Sequence, residues 1–119
     1  MNIEQYSVLA LRTAATASQQ EDLQHAAMGI GGEAGEVVDI IKKVTFYKKA
    51  LDRKHTLEEL GDLAWYINLM IHALESNWSE VLEMNIRKLE ARYPNLRFDA
   101  DKAINRDTAV EQKALDLGV

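Results

Sequence analysis

Glu33-Ala34-Gly35-Glu36-Val37-Val38-Asp39-Ile40-Ile41 is followed, 26 residues on, by Glu59-Leu60-Gly61-Asp62-Leu63-Ala64-Trp65-Tyr66-Ile67. Each stretch reads acid, small or apolar residue, Gly, acid, two apolar residues, two variable residues, then Ile. Two copies are too few for a repeat array, so the echo describes a pseudo-symmetric pair of helices. Around it, Ala27, Ile30, Ala34, Val37, Val38, Ile41 and Val44 recur in steps of three and four. Leu57, Leu60, Leu63, Ala64, Ile67, Ile71 and Leu74 do the same. Such spacing draws one apolar stripe along each helix.

Working outward, one helix is expected from near Asp22 into the 40s and the next from Leu57 to about Glu75, with Thr56 and Glu59 at capping-box spacing. A preceding helix runs from Ile3 to Ala17, capped by Asn2, with Tyr6, Leu9, Ala10, Thr13 and Ala14 on one side. A following helix runs from Trp78 to Tyr93, with Leu82, Ile86 and Leu89 facing in, and Pro94 ends it. Then comes an irregular stretch to Asp107 and a short last helix over Thr108 to Leu117. Tyr47 to His55 forms a basic connection between the two echoing helices. No Gly-, Ser- or Pro-rich linker interrupts the 119 residues, so one domain over 1–119 is expected.

Composition narrows the classes. Apolar residues make up 47% and charged residues 28%, the balance of a globular chain rather than a disordered one. The single proline argues for long helices over many short strands. A net charge of −5 disfavours a nucleic-acid partner. The absence of cysteine removes disulfides and thiolate metal sites and suits a cytoplasmic protein. No run of about 18 apolar residues is present, so no membrane span is expected. The first twenty residues do not read as a signal peptide.

The acids carry the chemistry. On a helix, residues three apart lie about 60° apart around the axis, so Glu33 with Glu36 and Glu59 with Asp62 each border one flank of their stripe. If the stripes pack in an antiparallel hairpin, four carboxylates converge beside the core. Convergent carboxylates repel, and a divalent cation removes the conflict. Oxygen ligands select Mg²⁺ first and Mn²⁺ second. A di-iron carboxylate bundle would add Glu-x-x-His motifs, which are absent; His25, His55 and His72 stand alone. Glu36 lies farther from the basic connection than Asp62 does. Convergence therefore requires the second helix to stop near Lys43, or to bend or tilt. Gly29, Gly31, Gly32 and Gly35 fall in that helix, where each costs about 1 kcal/mol against Ala. Close helix approach, room for a ligand or a break near Gly31-Gly32 would account for them.

Gly32-Glu33-x-x-Glu36 followed by Glu59-x-x-Asp62-x-x-x-Tyr66 resembles the MazG-like all-α nucleoside triphosphate pyrophosphohydrolases. Lys88-Leu89-x-x-Arg92-Tyr93-Pro94 and Asn105-Arg106-Asp107 resemble a single-domain bacterial and phage branch of that family. The resemblance covers roughly Met28 to Arg106. It implies an all-α, four-helix-bundle-like fold that assembles as a homodimer or homotetramer. It implies Mg²⁺-dependent cleavage between the α and β phosphates of nucleoside triphosphates, giving a monophosphate and pyrophosphate. By the same route Glu33, Glu36, Glu59 and Asp62 become metal ligands, with Glu36 or Glu33 orienting the attacking water.

The remaining candidates follow from what a bound triphosphate needs. Lys42, Lys43, Lys88, Arg92, Lys102 and Arg106 are the cations available to phosphates. Trp65, Tyr66 and Asn68 follow Asp62 on one helix and offer stacking and a hydrogen bond to the base. Two other classes fit the same residues: a non-enzymatic oligomeric helical bundle or nucleotide binder, and a helical phosphatase acting on phosphoesters. Pyrophosphate release separates the expected activity from both.

Overall fold

The computed structural model describes residues 1–116, and these are helical with no strand among them. The chain divides into two compact units, Met1–Ser76 and Asn77 onward. The first contains α1 (Ile3–Leu11), α2 (Gln19–Tyr47) and α3 (Arg53–Ala73). The second contains α4 (Trp78–Arg92), a 3-10 turn at Pro94–Leu96, α5 (Ala100–Ile104) and α6 (Thr108–Asp116). No described helix is long and apolar enough to cross a membrane.

Local chemistry sets the helix ends. Asn2 caps α1 with a full capping box through Gln5. The helix stops at Leu11 instead of continuing to Ala17. There the Thr13 hydroxyl bonds Ala10 O at 2.7 Å, and Ala17 N–H turns away to bond Asp22 Oδ1 at 3.0 Å. Side-chain bonds of this kind compete with helix propagation without any Gly or Pro signal. Ser18 then caps α2 by accepting from Glu21 N–H.

At the next boundary Asp52, not Thr56, is the cap of α3, accepting from His55 N–H at 3.0 Å. The helix begins four residues earlier than Leu57, and the Thr56 hydroxyl bonds Asp52 O. Glu59 is thereby released from the capping role its spacing suggests. In the second unit Asn77 caps α4. The stretch expected to be irregular contains α5, capped by Asp99. The short last helix is present as α6; Leu117 lies outside the described residues.

The hairpin of α2 and α3 positions the site. Its register is read from two contacts: Gly29 meets the Tyr66 ring, and Glu33 shares a cleft with Asp62. Four residues forward on α2 thus match four residues back on α3, the signature of an antiparallel pair. Lys42 is then level with Arg53, and the five residues to Tyr47 overhang α3 by about 7 Å. The expected stop near Lys43 does not occur; α2 is unbroken to Tyr47. The offset is made up by the connection. Lys48 takes the left-handed conformation, φ 55°, and turns the chain. Returning about 7 Å and crossing an interaxial gap of about 10 Å needs about 12 Å, well within the reach of five extended residues, about 17 Å.

Ala26 and Ile40 of α2 are buried, as are Leu69, Ile71 and Ala73 of α3 and Ala10 of α1. Asn68, 2% exposed, donates from Nδ2 to Ser7 O at 3.1 Å and ties α1 to α3. The apolar stripe of α2 serves two faces. Ile30, Val37, Ile40 and Val44 are partly or fully buried, whereas Val38, Ile41 and Phe46 stay exposed within one chain. On α3, Leu57 and Leu60 are likewise exposed.

Candidate active site

Glu33 of α2 and Glu59 and Asp62 of α3 each direct an oxygen to a common point, all within 4.8 Å of one another. The i, i+3 spacing on α3 puts Glu59 and Asp62 on one flank, and the hairpin register brings Glu33 opposite them. Glu59 is well shielded, with 13% of its side chain exposed, and His55 Nδ1 stands 3.7 Å from its Oε1. The Glu33 carboxyl is pushed above its ordinary value. The first cause is a hydrogen bond with Glu59, which needs a shared proton; burial and the charges of Glu59 and Asp62 add to it.

This is the repulsion that the sequence implies, and it tests the fit of a metal. A set of three carboxylates, all oxygen and close enough to share one ion, suits a hard divalent cation. Glu36 is not among the three. It is exposed on α2, one turn from Glu33 and level with Glu59 in the hairpin register. Three of the four expected acids are therefore brought together by the chain itself.

Beside the acids lies a cleft of about 400 Å³ lined by Glu33, Asp62, Trp65 and Tyr66. Its aromatic wall is fixed from three sides. Trp65 and Tyr66 meet edge to face at 5.1 Å between centroids, and His25 of α2 stands edge-on to both, at 6.3 and 5.6 Å. Trp65 Nε1 donates to Thr13 Oγ1 at 2.8 Å, and Thr13 in turn donates to Ala10 O. Gly29 makes room for Tyr66, whereas Gly31, Gly32, Gly35 and Gly61 face open space within the chain. Tyr6 of α1 completes the surroundings. Burial, and then the Asp62 charge, hold its phenol above the ordinary value, so it stays protonated.

Sequence reading missed His25, Thr13, Tyr6 and His55. His25 sits eight residues before Glu33, off the acidic motif, and Tyr6 and Thr13 reach the site only through the packing of α1. Asn68, expected near the base, is instead a core residue with one arm of its amide on Ser7 O.

Four of the six candidate cations have partners of their own. Lys42 and Lys43 both pair with Asp39, at 3.3 and 2.8 Å, on the exposed side of α2. Lys88, Arg92 and Arg106 belong to the second unit. There, Arg92 and Arg106 meet on Glu111 of α6, 1% exposed, with closest contacts of 2.6 Å from each guanidinium. The two arginines hold the Glu111 carboxyl down to about 2, Arg106 contributing first and Arg92 second. Glu111 carried no signal in the sequence, since a lone acid on a short helix reads as surface.

Residues 21–97 match the family model described as the MazG nucleotide pyrophosphohydrolase domain, a stretch that contains all four acids of the echo. The Gene 37 protein of Mycobacterium phage L5 is 31% identical over 101 residues, covering 77% of this chain and 89% of that protein. No solved structure matches the chain.

Proposed function

The chain belongs to the MazG nucleotide pyrophosphohydrolase family, and from that premise we propose that it hydrolyses (deoxy)nucleoside triphosphates to monophosphate and pyrophosphate with Mg²⁺. The observation that carries this reading is the convergence of Glu33, Glu59 and Asp62 within 4.8 Å beside an aromatic cleft. Mn²⁺ is the second choice for the same oxygen ligands.

Glu33, Glu59 and Asp62 would hold the ion, with Glu36, exposed one turn along α2, as the proposed fourth ligand. A divalent cation held there would supply positive charge toward the phosphates and a more acidic water. Glu36 or Glu33 orients the attacking water and takes its proton. The water oxygen bonds to phosphorus on one side of the α–β anhydride, and the bridging oxygen leaves with the other half. Trp65 and Tyr66 offer ring surface to the base. Lys42 and Lys43, on the same helix as Glu33, are the cations proposed to neutralise the phosphate oxygens.

The exposed apolar residues Val38, Ile41 and Phe46 support assembly as a homodimer or homotetramer, and the working compartment is the cytoplasm. Sedimentation at micromolar concentration tests the assembly. The activity is tested with a panel of ribo- and deoxynucleoside triphosphates in millimolar Mg²⁺, read by pyrophosphate release. Pyrophosphate with a monophosphate product, lost in Glu59→Gln, is expected. Orthophosphate with a diphosphate product defeats the α–β assignment, and no product from any triphosphate defeats the enzyme reading.

A further inference from the structure

The second unit carries a partly open pocket of about 180 Å³ lined by Arg92, Pro94, Lys102, Asn105, Asp107 and Val110. Its charges are organised from behind by Glu111. That carboxylate accepts Arg92 Nε at 2.6 Å, Arg106 Nε at 3.2 Å and Arg106 Nη2 at 2.6 Å. Two guanidiniums on one carboxylate leave a net positive charge. A guanidinium has five N–H donors; of those on Arg92, which lines the pocket, Glu111 takes Nε–H and Tyr93 is a second partner, leaving the others for a ligand. Lys102 forms no ion pair among the described residues. Asn105 has a second amide hydrogen to offer after bonding Asp101 Oδ1 at 2.9 Å. The one acid in the lining, Asp107, accepts the Val110 N–H at 3.1 Å at the start of α6.

Size decides what such a pocket takes. It falls below the roughly 300 Å³ at which pockets begin to hold drug-sized molecules, which favours a small oxyanion over a nucleoside. Arginine held in a fixed orientation matches the geometry of phosphoryl oxygens, and a lysine beside it adds a point charge. We propose that this pocket is a binding site for a free phosphoryl anion, inorganic pyrophosphate first, contacted by Arg92 and Lys102 with Glu111 as the positioning residue. The choice of pyrophosphate rests on the reaction proposed above; the anion site itself does not.

The experiment is calorimetric titration of the full chain with inorganic pyrophosphate in EDTA, where the acidic cluster has no cation to attract an anion. Wild type binds, Lys102→Ala binds at least five-fold more weakly with unchanged circular dichroism, and Lys102→Arg restores affinity. Glu59→Gln binds as wild type does. Orthophosphate binds more weakly than pyrophosphate. The proposal is overturned by absence of binding to wild type, by Lys102→Ala matching wild type, by an equal loss in Glu59→Gln, or by sulfate binding as tightly as pyrophosphate. Triphosphate turnover in Mg²⁺ reports on the acidic cluster independently, so either reading can fail while the other stands.

Discussion

The ring of Tyr66 occupies the space that any side chain at Gly29 would need. One glycine therefore fixes how closely α2 and α3 approach beside the cleft. Gly29→Ala forces the ring or the helix to move, an overpacking cost of about 1–3 kcal/mol that outweighs the gain of about 1 kcal/mol in helix propensity. The expected result is a net loss of about 1 kcal/mol in urea unfolding, with a raised KM because the aromatic wall shifts. Gly32→Ala, which meets open space, is expected to gain about 0.5–1 kcal/mol in the same measurement. Equal effects at the two positions would contradict the close approach.

The acidic cluster sets a pH trend that a metal should erase. Glu33 is raised in the folded chain, so the folded state binds more protons than the unfolded one. Its stabilising contribution is full below the ordinary carboxylate value and is lost as pH rises through the raised one. In EDTA, stability should therefore decline across that window, and Glu33→Gln should flatten the decline. In millimolar Mg²⁺ the decline should vanish, with a gain of about 2.7 kcal/mol once the ion is at a hundred times its dissociation constant. Thermal melts with and without Mg²⁺ read both effects; a wild type indifferent to Mg²⁺ speaks against a metal site.

Glu111 predicts the opposite slope. Its carboxyl is held down to about 2 by Arg106 and Arg92, against an ordinary value of 4.5. The unfolded state binds more protons in between, so this stabilisation is complete above pH 4.5 and is lost as pH falls toward 2. Glu111→Gln should lower the melting temperature at neutral pH and remove most of that acid-side slope. Retention of the slope in the variant would assign it to other carboxylates.

Asn95 and Leu96 both take positive φ, 63° and 52°, directly after Pro94. A leucine in the left-handed region costs about 1–2 kcal/mol, more than the roughly 0.5–1 kcal/mol that glycine loses through chain entropy. Leu96 is half exposed, so little burial is forfeited. Leu96→Gly should raise stability by about 0.5–1 kcal/mol in chemical unfolding. A loss of that size would mean the Leu96 side chain packs more than its backbone strains.

The acid echo made α2, α3 and three of the site's carboxylates legible before any coordinates, because helical spacing alone aligns Glu59 with Asp62. What was hidden is what depends on capping and on contacts distant in sequence. Thr56 mimics a cap that Asp52 supplies, so α3 begins earlier than the spacing predicts. Thr13 bonds Ala10 O at the end of α1, a contact that composition does not announce, so α1 is shorter than its pattern predicts. His25 and Tyr6 reach the cleft only because α1 and α2 pack on α3. The single apolar stripe read along α2 proved to be two adjacent faces, one against α3 and one bearing Val38 and Ile41. Periodicity cannot separate these, since it records that a face is apolar and not what covers it.

The five residues from Lys48 to Asp52 have the character of a calibrated spacer. They carry the chain back alongside the end of α2 before α3 starts, and that retreat is what sets Asp62 abreast of Glu33. Deleting three of them would leave too little chain to span the return, so α3 would have to unwind at its start or slide by a turn. Inserting three would only slacken the loop, because loop closure depends weakly on length. A family of length variants should thus show a one-sided tolerance, forgiving of additions and severe on deletions, with metal affinity failing before helix content does.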